Sequence, residues 1–272
     1  MRLTAYMQTR IFRLANASLL AFLLTVSTGA AEDAHEPFTP GEMLAYDVTW
    51  SVFRAGELTA TLRSTGEGSN DAYGVTATAR SQGFVSLLFN VNNEFRSFFS
   101  PQTLCSQRIV KKTNEGRRHK DTLIVFDRIR NLALLDERDL SKPDAPAKHA
   151  ENEIPPCVED VVAAFYYLRR QHLEVGRTIE LPVNDGSKTQ RVVVEVQARE
   201  KVQTPMGTFE AFRVEPKVIN GLLKRKGRML IWFSADNQQL PLRIKAMISL
   251  GSITGTLRSV SHVPPDASPA SH

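Results

Sequence analysis

The sequence predicts a mainly β fold, one strongly curved antiparallel sheet or open barrel of about a dozen strands with one amphipathic helix. Three observations carry that expectation: apolar residues recur at every second position in run after run, turn-forming residues separate the runs, and a single segment has helical period. From Glu42 to Val52, Leu44, Tyr46, Val48, Trp50 and Val52 alternate with Ala45, Asp47, Thr49 and Ser51, which reads as a half-buried strand. Gly56 marks a turn. Leu58, Ala60 and Leu62 make a second strand, and after the polar run Ser64 to Asp71, Tyr73, Val75, Ala77 and Ala79 make a third, so that the first three form a meander.

The stretch Phe84 to Phe89 is apolar without alternating and suits a helical turn or packed loop. Strands are expected next at 94–100, 104–113, 118–126 and 131–136. Residues 139–156, with four prolines and several charges, read as a surface excursion. Val158, Val161, Val162, Phe165 and Leu168 then fall three or four apart, on one face of a helix over 158–170. Pro155 and Pro156 precede it, acids lie in its first turn, and Arg169 and Arg170 lie in its last, where they suit the helix dipole. Strands resume at 177–183, 188–200, 207–215, 228–234, 240–249 and 252–260. Met229 to Phe233 is apolar on both faces and belongs at the centre of a sheet. The organisation expected is one domain over 40–260 and a Pro-, Ser- and Ala-rich disordered tail over 261–272, with two tandem β domains as the alternative.

Residues 1–31 read as a secretion signal: Arg2, Arg10 and Arg13 precede an apolar stretch from Leu14 to Val26, and small residues lead to cleavage after Ala30 or Ala31. A retained anchor is the other reading, but the stretch is shorter than the about 20 residues that span a bilayer core. Export places the protein in the periplasm or outside the cell. The formal charge of +5 is then mostly a property of the discarded segment, since losing three arginines leaves 31 basic against 29 acidic residues. Nucleic acid is not indicated as a partner. In an oxidising compartment Cys105 and Cys157 are expected to pair, closing a loop of about 52 residues; two buried free thiols are the alternative.

Four ordered stretches resemble the bacterial family called domain of unknown function 3108. They are Gly41-Glu42-Met43-Leu44-Ala45-Tyr46-Asp47-Val48 with Trp50 and Ala55-Gly56; Phe165-Tyr166-Tyr167-Leu168-Arg169; Met206 through Pro216; and Trp232-Phe233-Ser234-Ala235-Asp236 with Leu240-Pro241. The resemblance implies an exported, β-rich protein and transfers no catalytic residue, since the family has no agreed activity. The same residues also read as structural parts, Gly207 as a tight-turn residue and Trp232 as a core aromatic.

No H-E-x-x-H, G-x-S-x-G, phosphate-binding glycine loop or cysteine pair at metal spacing occurs, so no metal or cofactor is expected. His119 and His172 lack a partner for general-base work and read as surface residues. Arg108, Lys111, Lys112, Arg117, Arg118, His119 and Lys120 fall on one hairpin, either as an anion-attracting tip or as charges guarding a sheet edge. Lys224, Arg225, Lys226 and Arg228 form a second basic cluster, which could complete a positive rim if both turns share one end of the barrel. Trp50, Phe84, Phe89, Phe95, Phe98, Phe99, Trp232 and Phe233 could fill the sheet's interior or line a cavity in it, and alanines at 60, 77 and 79 favour open space.

The leading expectation is a non-enzymatic envelope protein that binds or carries an apolar or amphipathic, lipid-like ligand. Its acyl part would lie against Trp50, Ala77 and Trp232, and its head group near Arg225 and Arg228. A protein-interaction module of the envelope with a filled core is the alternative, and a cell-wall hydrolase the third reading.

Overall fold

Residue alternation of period two buries one face of each strand, and a long succession of such strands can bury those faces by curling the sheet around its own apolar side. A computed structural model describes residues 36–65, 72–218 and 227–264. The expected secretion signal, Arg225 with Lys224 and Lys226, and the tail beyond Pro264 lie outside the described residues. The first half contains β1 (Glu42–Trp50), β2 (Phe53–Thr65), β3 (Ala72–Ser81), α1 (Gly83–Leu88), β4 (Asn92–Phe99), β5 (Ser106–Glu115), β6 (Arg118–Asp127), β7 (Leu132–Asp139) and β8 (Lys148–Glu153). The second half contains α2 (Ala163–Arg169), β9 (Thr178–Asn184), β10 (Thr189–Thr204), β11 (Gly207–Val218), β12 (Met229–Ser234), β13 (Pro241–Ile248) and β14 (Gly251–His262).

The strands form one 14-stranded sheet in the order β8 to β1, then β14 to β9. Every ladder is antiparallel, and β1 pairs with β14 from Glu42↔His262 to Trp50↔Ile253. The sheet is thus two meanders joined where the first and last strands meet, and it does not close, because β8 and β9 share no ladder. The two edges are clasped instead. Asn184 Nδ2 donates to Asn152 Oδ1 at 2.6 Å, Asn152 Nδ2 donates to the Gly186 carbonyl at 3.1 Å, and Thr189 Oγ1 donates to the Glu153 carbonyl at 3.0 Å. Beside them Glu159 N–H donates to the Pro182 carbonyl and Asn184 N–H to the Glu159 carbonyl, which carries the β8–β9 connection along the free edge of β9. Gly186, in the β9–β10 turn with φ +98°, fits the clasp because a Cβ there would sit 2.5 Å from Ile124 and 2.7 Å from Leu135.

Antiparallel connections alternate between the two ends of the sheet. One end holds the start of β1, the 235–240 turn and α2, and it is plugged. Leu168 of α2 packs on Ile231, Phe233 and Val214, and Tyr166 packs on Phe38, Leu62, Val75 and Phe99. Arg169, 1 % exposed, places its guanidinium on both oxygens of Glu42 at 2.6 and 2.8 Å and donates also to the carbonyls of Pro37 and Gln238. The bidentate fork satisfies the buried carboxylate, and the extra carbonyls take up the remaining donors, which is the condition under which a buried pair is tolerated.

The helix is shorter than the 158–170 expected. Val158 to Asp160 are extended: Ser106 N–H donates to the Val158 carbonyl, and Glu159 runs beside β9, so ladder-like bonds win over helical period there. Asp160 then serves the first free N–H groups of the turn, accepting from Val162 N at 2.8 Å and Ala163 N at 3.2 Å, while its other oxygen accepts from Ser97 and Ser106. The supposed excursion at 139–156 contains β8, whose exposed, charged sequence hides its strand character. The first turn lies at Ser51–Val52 rather than at Gly56, and Ser261 and His262, expected in the tail, belong to β14. The disulfide is formed: Cys105 and Cys157 are joined with their Cα atoms 5.1 Å apart.

Two outcomes are expected. Glu42→Ala strands the Arg169 guanidinium without its counter-charge and lowers unfolding free energy by about 3–5 kcal/mol, measured by denaturant titration; an unchanged midpoint would show that the pair does not hold the plug. Cys157→Ser, which removes a tether worth roughly 4 kcal/mol by chain entropy, speeds amide exchange over 157–169 more than over β1–β3, read by hydrogen exchange with mass spectrometry.

Candidate functional site

At the end opposite α2 the interior is open. Below that mouth two inward positions are small, Gly56 on β2 and Ala79 on β3, and with Leu58 on β2 they face Tyr46, Val48 and Trp50 on β1. Ile244, Ala246 and Ile248 on β13 and Ile253 and Gly255 on β14 complete the far wall. Together with Val85, Leu88 and Phe89 from α1 and its C-terminal end, they enclose a cavity of about 600 Å³. That volume lies within the range of about 300–1,000 Å³ typical of small-molecule sites.

Gly56 shows why the wall is thin. A Cβ there would lie 2.0 Å from the Arg80 carbonyl oxygen, so any side chain must displace backbone where β2 passes β3, and the register of β1 on β2 shifts beside it at Val48/Thr49. The α1 segment crosses the mouth between β3 and β4. Its N-terminus turns at Gly83, φ +60°, and Phe89 N–H donates to the Val85 carbonyl.

The polar groups at the cavity are few. Glu57, Arg80, Ser81 and Glu115 contribute to the wall, and Glu115 accepts a 2.7 Å hydrogen bond from the amide of buried Asn93. Trp50 donates its indole N–H to the Leu250 carbonyl at 2.7 Å, which fixes the ring between the β1–β2 and β13–β14 turns. Burial pushes the Tyr46 phenol far above its ordinary value, so it is a neutral group. Among the described residues no three His, Cys, Asp or Glu side chains are grouped to hold a metal. His119 bonds Asn114 at the surface and His172 lies near Glu174; neither lines the cavity.

Of the residues expected to bind ligand, Trp50 lines the cavity. Ala77 lies on the same face of β3, between core Val75 and lining Ala79, one step deeper than the wall. Trp232 does not reach it. Ile231 and Phe233 on either side pack under α2, whereas Trp232 belongs to a neighbouring core cluster with Val202, Ala211, Leu230 and the cavity-lining Tyr46, and its indole N–H donates to Glu200 at 2.6 Å. Arg228 is engaged by Glu215 through two bonds of 2.7 and 2.8 Å. The basic hairpin divides as well. Arg108 lies over Phe98, Lys120 pairs with Glu137, and Lys111, whose pKa burial lowers, donates to the Asp185 carbonyl, leaving Lys112, Arg117 and Arg118 at the surface. Sequence reasoning missed the β13–β14 wall, although Ile244, Ala246 and Ile248 alternate with Lys245 and Met247 as apolar positions of a half-buried strand do.

A second unusual group lies away from the cavity. Glu159, 2 % exposed in the clasp between the sheet edges, has one carboxylate oxygen without a hydrogen-bond partner, and burial raises its pKa to about 7. In the unfolded chain it ionises near its ordinary value. Stability contributed by the neutral carboxyl is therefore full below that value, declines as pH rises toward about 7, and levels off above it. Glu159→Gln is expected to remove that decline, on the order of 3 kcal/mol between pH 4.5 and 8 by linkage, in denaturant titrations across pH; an equal slope in both proteins would assign the titration elsewhere.

One comparison with a solved structure agrees with the architecture. A β-barrel-like protein of the DUF1849 family from Brucella abortus superposes with a TM-score of 0.53 at 10% identity, covering 81% of this chain and 97% of that one. That likeness concerns the fold alone. A protein from Bacteroides fragilis with a YmcC-like fold, inferred to be exported, gives a TM-score of 0.36 at 12% identity over 83% of this chain and 97% of that chain. Curated proteins contain no sequence match to the chain. The family model for proteins of unknown function named DUF3108 matches residues 45–258, from the middle of β1 to β14, and by that match the chain belongs to the DUF3108 family.

Proposed function

We propose that this is an exported protein that holds an apolar or amphipathic ligand, with a long acyl chain as the class that fits, in the cavity beside Trp50. The observation that carries the reading is the cavity itself: about 600 Å³, walled by aliphatic and aromatic side chains and fed by an open mouth. A filled core is the ordinary outcome for such residues, and leaving the space empty forgoes packing that each methylene would otherwise supply. Each ligand CH₂ buried contributes about 0.8 kcal/mol, so one chain offsets its ordering cost without any strong polar contact. Export is supported by the N-terminal basic and apolar pattern of residues 1–31 and by the Cys105–Cys157 disulfide, a bond that persists in oxidising compartments.

The head-group position expected at Arg225 and Arg228 is not part of this proposal, because Arg228 is taken by Glu215. Arg80, exposed and on the cavity wall, is the cation an acidic head group would meet first.

Titration with a long-chain fatty acid tests the reading. In a Trp232→Phe background, which leaves Trp50 as the only indole, fluorescence is expected to shift and saturate, and Ala79→Phe, which puts a ring into the cavity, should weaken binding at least about tenfold. Unchanged Trp50 fluorescence in the Trp232→Phe background, together with no lipid in organic extracts of protein purified from its native envelope, would overturn it.

A further inference from the structure

Three separate segments place large apolar side chains in water around the cavity mouth. Val52 and Phe53 form the β1–β2 tip, Phe84, Leu87 and Leu88 the outer side of α1, and Leu250 the β13–β14 tip; all are between 60 and 85 % exposed. The tips are neighbours, since Trp50 pairs with both Phe53 and Ile253 and Ser51 N–H donates to the Ser252 carbonyl at 2.6 Å. Scattered exposed apolar residues need no explanation, but a contiguous patch marks a contact surface. Here Leu88 and Leu250 belong to both the patch and the cavity wall, so the apolar surface runs unbroken from outside to inside.

Charge narrows the choice of partner. Exposed cations bordering the cavity mouth among the described residues include Arg54 on β2, Arg80 on β3, Arg117 in the β5–β6 turn and Arg118 at the start of β6, against Glu57 and Glu115 on the cavity wall and Asp47 beside Arg54. Glu115 is held by Asn93, and Arg54 lies 3.7 Å from Asp47. Apolar tips flanked by a net positive collar match the layering of a bilayer surface with anionic head groups, where apolar side chains reach the acyl boundary and arginines stay with the phosphates.

We propose that the cavity end of the sheet docks on an anionic lipid surface, through the β1–β2 tip, α1 and the β13–β14 tip, and that the cavity is loaded from that surface. The loading step rests on the function proposed above; the docking step does not. A docked rim seals the mouth against the membrane, so an acyl chain passes from bilayer to cavity without crossing water. Because α1 carries rim residues on one side and Val85 and Leu88 on the wall, docking and cavity access share one element.

Flotation with phosphatidylglycerol vesicles, using the full chain, tests the proposal. The parent is expected to float, less so on phosphatidylcholine vesicles or at high salt, and Leu87→Asp with Leu250→Asp should weaken vesicle binding at least about tenfold. Both proteins keep residues 1–35, so a difference between them cannot arise from the N-terminal apolar stretch. Ala79→Phe should float like the parent while losing fatty-acid binding, which separates failure of docking from failure of the cavity reading. The proposal is overturned if the parent stays with the soluble fraction, or if the double variant floats as well as the parent. Concentration-dependent dimerisation abolished by the double variant, in a parent that does not float, would assign the rim to a second copy of the chain instead.

Discussion

The architecture depends on a single buried ion pair. Arg169 reaches from α2 to Glu42 at the first residue of β1, and on the way it takes the carbonyls of Pro37 and Gln238, so that the segment preceding β1, the β12–β13 turn and the helix are fixed to one another at one guanidinium. Phe38 and Tyr166 lie near its faces at 5.1 and 5.6 Å, which adds ring contacts to the hydrogen bonds. An apolar residue of the same volume could fill the space, but it could not join three elements at defined angles. The cost of desolvating the pair is offset by that specification, which decides that α2 plugs this end and leaves the other open.

From the plug the rest follows by depth. Leu62, Val75 and Phe99 are fully buried against α2, Ala77 and Ala60 occupy the next layer, and Ala79, Gly56 and Val48 face empty space. On β3 the inward side chains shrink from Val75 to Ala77 and Ala79, and on β2 from Leu58 to Gly56, while Tyr46 and Trp50 of β1 flank the space they leave. A sheet of this size has more interior than one short helix can fill, and the chain resolves the excess by filling from one end only.

Much of this was legible in the sequence, for a physical reason: period-two burial is a local property, so β1, β3 and the other alternating runs announce themselves, as do the doubly apolar β12, the meander and the disulfide partners in a chain with two cysteines. What depends on distant partners was not. Val158 to Asp160 have helical spacing, yet Ser106 and Pro182 capture their backbone, and β8 is a strand only because β7 supplies its ladder. The two tryptophans illustrate the same limit at the site. Both are aromatic residues of apolar strands that could line a cavity, but Trp50 lines it, while Trp232 is taken up by a core cluster with Val202, Ala211 and Leu230 and by Glu200. Gly56 was read as a turn because glycine serves turns and close approaches alike, and only the position of the Arg80 carbonyl distinguishes them.

The seam between β8 and β9 has a consequence for how the chain fails. Strand edges invite pairing with other molecules, and a sheet of 14 strands that stopped short of closure would offer two of them. Here each edge conceals the other, joined by three side-chain bonds and by the segment that Cys157 ties to Cys105. Loss of that tether would unzip the protein at its weakest line while most ladders stay intact, producing a native-like species with two sticky margins. Aggregation of the chain in a reducing environment would then begin from nearly folded molecules rather than from unfolded ones.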